Sequence, residues 1–161
     1  MEVSTEMNFE MSLQGSIHDV QEGATPFHDV LTSNIAKLTQ TKADVEASIE
    51  SDLVQAKQCY MSSQRTGALE AMRRVHRNKI YKDCVSTALF HLIAIRIETQ
   101  WVTGSMSSFE EDDTSDFSIS WEQQQMFEGI LANLEAFECS VPSDKFLMRK
   151  VARLCGGSNS R

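Results

Sequence analysis

Proline and glycine are scarce in this chain: 2 Pro and 7 Gly in 161 residues. That scarcity argues against a loop-rich or hairpin-rich β fold and favours long uninterrupted helices. Aromatic residues make up 7% of the sequence, so a single core must be built mainly from aliphatic side chains. The 4 cysteines, Cys59, Cys84, Cys139 and Cys155, are scattered with no CxxC pair, which excludes a zinc ribbon or a redox dithiol and leaves reduced, partly buried thiols as the expectation. No apolar run reaches the roughly 18 residues that a membrane span needs; the longest, Val85 to Ile97, is interrupted by Ser86, Thr87, His91 and Arg96. The first ten residues, MEVSTEMNFE, are acidic and hold no signal-peptide core, so the expected setting is cytoplasmic.

Catalytic signatures are missing too. His18, His28, His76 and His91 stand alone, without an HExxH or paired Cys/His spacing. No phosphate-binding glycine loop and no nucleophile elbow occurs. A calcium-loop outline begins at Asp112, but its sixth position is Phe117, where the turn needs Gly, and its twelfth is Gln123, where a bidentate Glu is needed. The sequence therefore predicts no enzyme, no metal and no cofactor.

What is present is charge in blocks. The net charge is −8. Residues 1–60 carry ten acids and three bases, and residues 61–101 seven bases and three acids. Residues 102–143 carry nine acids and no base, and residues 144–161 five bases and one acid. Blocks of opposite sign attract within a molecule or between neighbours. An acidic whole without aromatics among its bases disfavours nucleic acid as a partner.

Helix signals divide the chain. Residues 1–24 read as a disordered N-terminal segment. Thr25-Pro26 starts a helix, with a hydroxyl cap, Pro at the first helical position and Asp29 in the first turn. Ile35, Leu38, Val45 and Ile49 then keep a three-four spacing, which Lys42 breaks; the pattern slips near Leu53 and resumes at Ala56. Met61-Ser62-Ser63 ends that helix. A second runs from about Arg65 to Trp101 and stops at Val102-Thr103-Gly104-Ser105. Its first half is basic and its second half apolar. Two long helices joined by a short turn form an antiparallel hairpin, here over 25–104. Residues 105–119 form an acidic linker, SSFEEDDTSD at its centre. Residues 120–161 form a C-terminal segment with a Ser120-capped helix to about Cys139, its face made of Met126, Phe127, Ile130, Leu131, Leu134 and Phe137. A last helix, about Lys145 to Cys155, is capped by Ser143 or Asp144. The expected fold class is thus all-α: a long helical hairpin with smaller C-terminal helices on an acidic linker.

Two groups of side chains stand out. Arg65, Arg73, Arg74, Arg77, Lys79 and Lys82 are a candidate basic face for anionic membrane or for the acidic segment. Leu69, Met72, Leu89, Leu92 and Ile95 are candidates for self-association.

The order of helices and charge resembles the charged multivesicular body proteins, the ESCRT-III filament subunits, and most of all the subgroup that forms the main polymer. The resemblance lies in Thr25-Pro26 before the first long helix, and in Val45-Glu46-Ala47-Ser48-Ile49-Glu50 with Ala56-Lys57 near that helix's end. It continues in Ala68-Leu69-Glu70-Ala71-Met72-Arg73-Arg74 at the start of the second. The register holds without a gap from Leu38 to Trp101. Residues 1–60 are more acidic than that family's first helix, and beyond Gly104 its further core helices are not recognisable. The resemblance implies a cytoplasmic protein, peripheral on endosomal membranes, that polymerises with itself and other ESCRT-III subunits. Asp144, Leu147, Lys150, Val151 and Leu154 fit the outline of the short helix by which such subunits dock on an AAA ATPase with a microtubule-interacting-and-trafficking domain. The alternative is a soluble helical coiled-coil adaptor that forms a fixed dimer or binds one partner.

Overall fold

The structure, a computed structural model, describes residues 27–106 and 120–156. The N-terminal segment 1–24, Thr25-Pro26 and most of the acidic linker lie outside them. The fold is all-α: α1 (Phe27–Met61), α2 (Arg65–Met106), α3 (Trp121–Glu135) and α4 (Asp144–Gly156), with no strand among the described residues. α1 and α2 have 35 and 42 residues, so they are rods of roughly 50 and 60 Å at 1.5 Å per residue.

They pack as an antiparallel hairpin with a coiled-coil seam. In α1, Leu31, Leu38, Val45 and Asp52 recur every seven residues, as do Ile35, Lys42, Ile49 and Ala56. In α2 the same period runs through Ala68, Val75, Lys82 and Leu89, and through Ala71, Asn78, Val85, Leu92 and Thr99. A seven-residue repeat keeps a straight seam only if the helices wind around each other to the left. The apparent slip near Leu53 is a polar seam position: Asp52 is buried at 8% exposure, while Leu53 sits half-buried on the flank. Facing pairs share a constant sum of residue numbers, 126, as in Asp52 with Arg74, Ser48 with Asn78, and Cys59 with Gly67. The register is therefore single and continuous.

The turn is tight because α1 ends in a Schellman motif. The amide of Gln64 donates to the Cys59 carbonyl at 2.8 Å and that of Ser63 to Tyr60 at 3.1 Å. Ser63 takes the left-handed conformation, φ 60°, where glycine is usual. Gly67 lets the first turn of α2 approach α1: a Cβ there would lie 3.0 Å from the Cys59 sulfur. At its other end α2 runs through Gly104 to Met106, past the stop expected at Val102–Ser105. A single glycine weakens a helix by only about 1 kcal/mol, too little to end one this long.

The apolar interior falls into pieces. One cluster joins Leu31, Ile35 and Leu38 to Val85, Leu89, Leu92 and Ile95 at the open end, and α3 adds Phe127 and Leu134 to it. Another, at the turn, joins Ala56, Leu69, Ala71 and Met72 to Leu147 and Val151 of α4. Val45, Ile49 and Val75 form a third between them. Half-buried Lys42, Asn78 and Lys82 occupy seam positions around the middle, giving the hairpin a polar waist.

The short helices begin just after Ser120 and Ser143. The Ser120 hydroxyl accepts from the Gln123 amide at 3.2 Å. The Ser143 carbonyl accepts from Phe146 and Leu147 at 3.0 and 3.1 Å. α3 stops at Glu135, short of the expected Cys139, with Ala136 as its C-cap. Phe137 leaves the helix to set its ring 5.1 Å from Tyr81, while Phe127 meets Phe27 edge-on at 5.4 Å. α3 thus lies along the Tyr81, Ala88 and Ile95 flank of the seam. α4 lies along the opposite flank, over Leu53 and Met72, and the two short helices do not touch.

Candidate functional site: the basic helix and the surfaces under α3 and α4

The six candidate basic residues of α2 do not form one face. Heptad geometry turns Arg74 and Lys82 towards α1 and leaves the others outside. Arg74 Nε donates to Asp52 Oδ1 at 2.8 Å, and its terminal nitrogen to Gln55 Oε1 at 2.7 Å. Lys82 Nζ is 3.8 Å from Glu46 Oε1. Arg73 donates to Asp144 Oδ1 at 2.7 Å and so holds the first turn of α4. Arg65, Arg77 and Lys79 are exposed, and among the described residues none of them has an ion pair. The acids that answer the basic block come from α1 and α4. Residues 120–139 cover the apolar half of α2 instead, so the expected pairing of the acidic segment with the basic half is absent from the described part of that segment.

Asp52 is a residue that sequence reasoning passed over. It is a carboxylate at a seam position, satisfied by a guanidinium from the facing helix. A seven-residue count through Leu31, Leu38 and Val45 reaches it, and would have found it. Ser48 and Asn78 add a second cross-helix bond, Asn78 Nδ2 donating to Ser48 Oγ at 3.1 Å. No buried side-chain polar atom among the described residues lacks a hydrogen bond. Half-buried against α3, Tyr81 has its phenol pushed above the usual value near 10, by burial first and by the neighbouring Cys84 second.

The candidate self-association residues are all inside. Met72 is 1% and Leu92 0% exposed, and Leu69, Leu89 and Ile95 are equally part of the core. Leu69 and Met72 lie under α4, the other three in the cluster that α3 covers. The candidate ATPase-docking residues are split. Leu147 and Val151 are buried on the hairpin, Asp144 pairs with Arg73, Lys150 is half-buried and Leu154 faces out.

The apolar half of α2 has two faces. Ala88, Leu89, Leu92 and Ile95 point to the seam, whereas Phe90, Ile93, Ile97 and Trp101 are exposed on the far side of the helix. Among the described residues no group of His, Cys, Asp and Glu could hold a metal ion, and no helix is long and apolar enough to cross a membrane. The four cysteines are free and half-buried.

The fold and this surface define an all-helical, coiled-coil-like hairpin with two short helices folded onto it. Comparison with known protein families, with characterised proteins and with solved structures finds no match.

Proposed function

We propose that the chain is an ESCRT-III-like subunit in a closed state, which polymerises on anionic, cytoplasmic-face membranes such as those of endosomes and remodels them for sorting and vesicle budding. The observation that carries this reading is that Leu69 and Met72 are covered by a 13-residue helix held by Leu147, Val151 and one exposed ion pair, Arg73 with Asp144. Fully burying two such side chains contributes about 3–6 kcal/mol. Ordering the helix costs backbone entropy at about 1–2 kcal/mol per residue, so a cover held by so few contacts is detachable. Release of α4 would free Arg73 beside Arg77 and Lys79 for lipid headgroups and bare Leu69 and Met72 for a neighbouring subunit. The same release would free Asp144, Leu147, Lys150, Val151 and Leu154 for an ATPase's trafficking domain. This assignment keeps the partners implied by the resemblance: the chain itself, other ESCRT-III subunits and that ATPase.

A second reading, the soluble helical adaptor that forms a fixed dimer or binds one partner, is favoured by a different observation: every candidate self-association side chain is already satisfied within one molecule.

One experiment separates the two. Full-length protein and Leu147→Asp/Val151→Asp are incubated with anionic liposomes at moderate salt and imaged by negative-stain electron microscopy. Filaments or tubulated liposomes from the variant, with few from the parent, support the closed subunit. Particles of one small size from both, without liposome binding, sink it in favour of the adaptor.

A further inference from the structure

The outermost line of the apolar half of α2 carries no charge over four turns; exposed His91 and exposed Glu98, the latter bonded to Gln123 of α3, stand at its margin. The uncharged positions along that line from Ser86 to Trp101 are Ser86, Thr87, Phe90, Ile93, Ala94, Ile97, Gln100 and Trp101. Phe90 is 71% exposed, Ile93 36%, Ile97 46% and Trp101 75%. A solvated helix normally carries charge on the face away from its core, and neither α3 nor α4 covers this one.

The order of these side chains is its own mirror: aromatic, isoleucine, isoleucine, aromatic. Reversing the helix about a point between Ile93 and Ile97 lays Phe90 on Trp101 and each isoleucine on the other. That is the property a two-fold interface requires, since one patch must complement itself. We infer that a second copy of this chain covers the stripe, with the two α2 helices antiparallel and back to back.

Area supports a weak dimer. With large aromatics offering about 150–250 Å² each, the four side chains expose roughly 500 Å² per copy. Two copies bury roughly 1,000 Å², the lower bound for a specific interface. Charge argues against the other occupants. A peripheral membrane helix sets Lys or Arg beside its apolar face, and this face has neither. Residues 1–26 carry five acids and no base, and the stripe offers them no cation. The pairing uses only the exposed side of α2, so it does not depend on release of α4 or on polymerisation.

The test is sedimentation equilibrium of the full chain without lipid, alone and with Phe90→Lys and Trp101→Glu. The weight-average mass is expected to rise with concentration from 18.1 kDa towards twice that value and no further. Each variant should stay helical by circular dichroism and dimerise at least tenfold more weakly. Mixing the two should restore a dimer, because the antiparallel pairing sets the new lysine against the new glutamate and leaves the other Phe90–Trp101 contact intact. A full chain that stays monomeric at high micromolar concentration overturns the inference, as does a dimer that neither substitution weakens. Variants that dissociate but do not recover on mixing overturn the two-fold arrangement. Dimerisation that appears only after removal of residues 1–26 gives the stripe to that segment instead.

Discussion

Asp52 and Arg74 show how much one polar pair decides here. A buried ion pair adds little net stability over an apolar pair of the same shape, because both charges lose water. Removing one partner is different, since the other charge is stranded. Arg74→Ala leaves Asp52 buried with its main donor gone. The side chain of Arg74 is 39% exposed, and water screens part of the loss. The expected cost is therefore about 1–3 kcal/mol, read from urea unfolding followed at 222 nm. Asp52→Leu/Arg74→Leu should return to within about 1 kcal/mol of the parent; a double variant as weak as Arg74→Ala would show that the pair does more than satisfy itself. Ser63 offers a gain. An L-residue in the left-handed region is held against its steric preference at roughly 1–2 kcal/mol, and glycine relieves that while adding unfolded-state entropy. Ser63→Gly should raise stability by about 0.5–1 kcal/mol in the same assay; a loss would mean that the serine makes a compensating contact at the turn.

At the scale of elements, the helices differ in how they are held. α1 shares a seam with α2 along its whole length, whereas α4 rests on Leu147 and Val151. Leu147→Ala in a rigid core would cost about 2–5 kcal/mol. Here the loss is capped by the docking energy of α4, because the helix can leave. The expected outcome is faster tryptic cleavage at Lys145, Arg149, Lys150 and Arg153, with the main thermal unfolding of the hairpin unchanged. A hairpin midpoint that falls in step with the cleavage would instead make α4 part of one cooperative unit. Both long helices, their turn at Met61-Ser62-Ser63 and the Ser120 cap were legible in the sequence, because caps, breaks and apolar spacing are local signals. The flank on which each short helix lies was not legible. Nor was the division of Ala88 to Ile97 into inner and outer faces. Both depend on which side of α2 faces α1, and that is settled by a seam running through Asp52, Lys42, Asn78 and Lys82. Polar residues at those positions hide the seven-residue repeat from a hydrophobic count. The same seam explains why six basic residues read as one face yet turn in several directions.

For the whole molecule, the polar waist and the separation of the short helices belong together. α3 rests on the open end of the hairpin and α4 on the turn, on opposite flanks, with no contact between them. Free-energy changes at such distant, unshared places add rather than multiply. A partner that captures α4 therefore gains no help from α3, and the energy needed to uncover the turn says nothing about the energy needed to uncover the open end. If each short helix can leave on its own, the hairpin has four states in place of two: both ends covered, either one bare, or both bare. Two inputs, one acting on each end, would then set four outcomes without any communication passing along the hairpin.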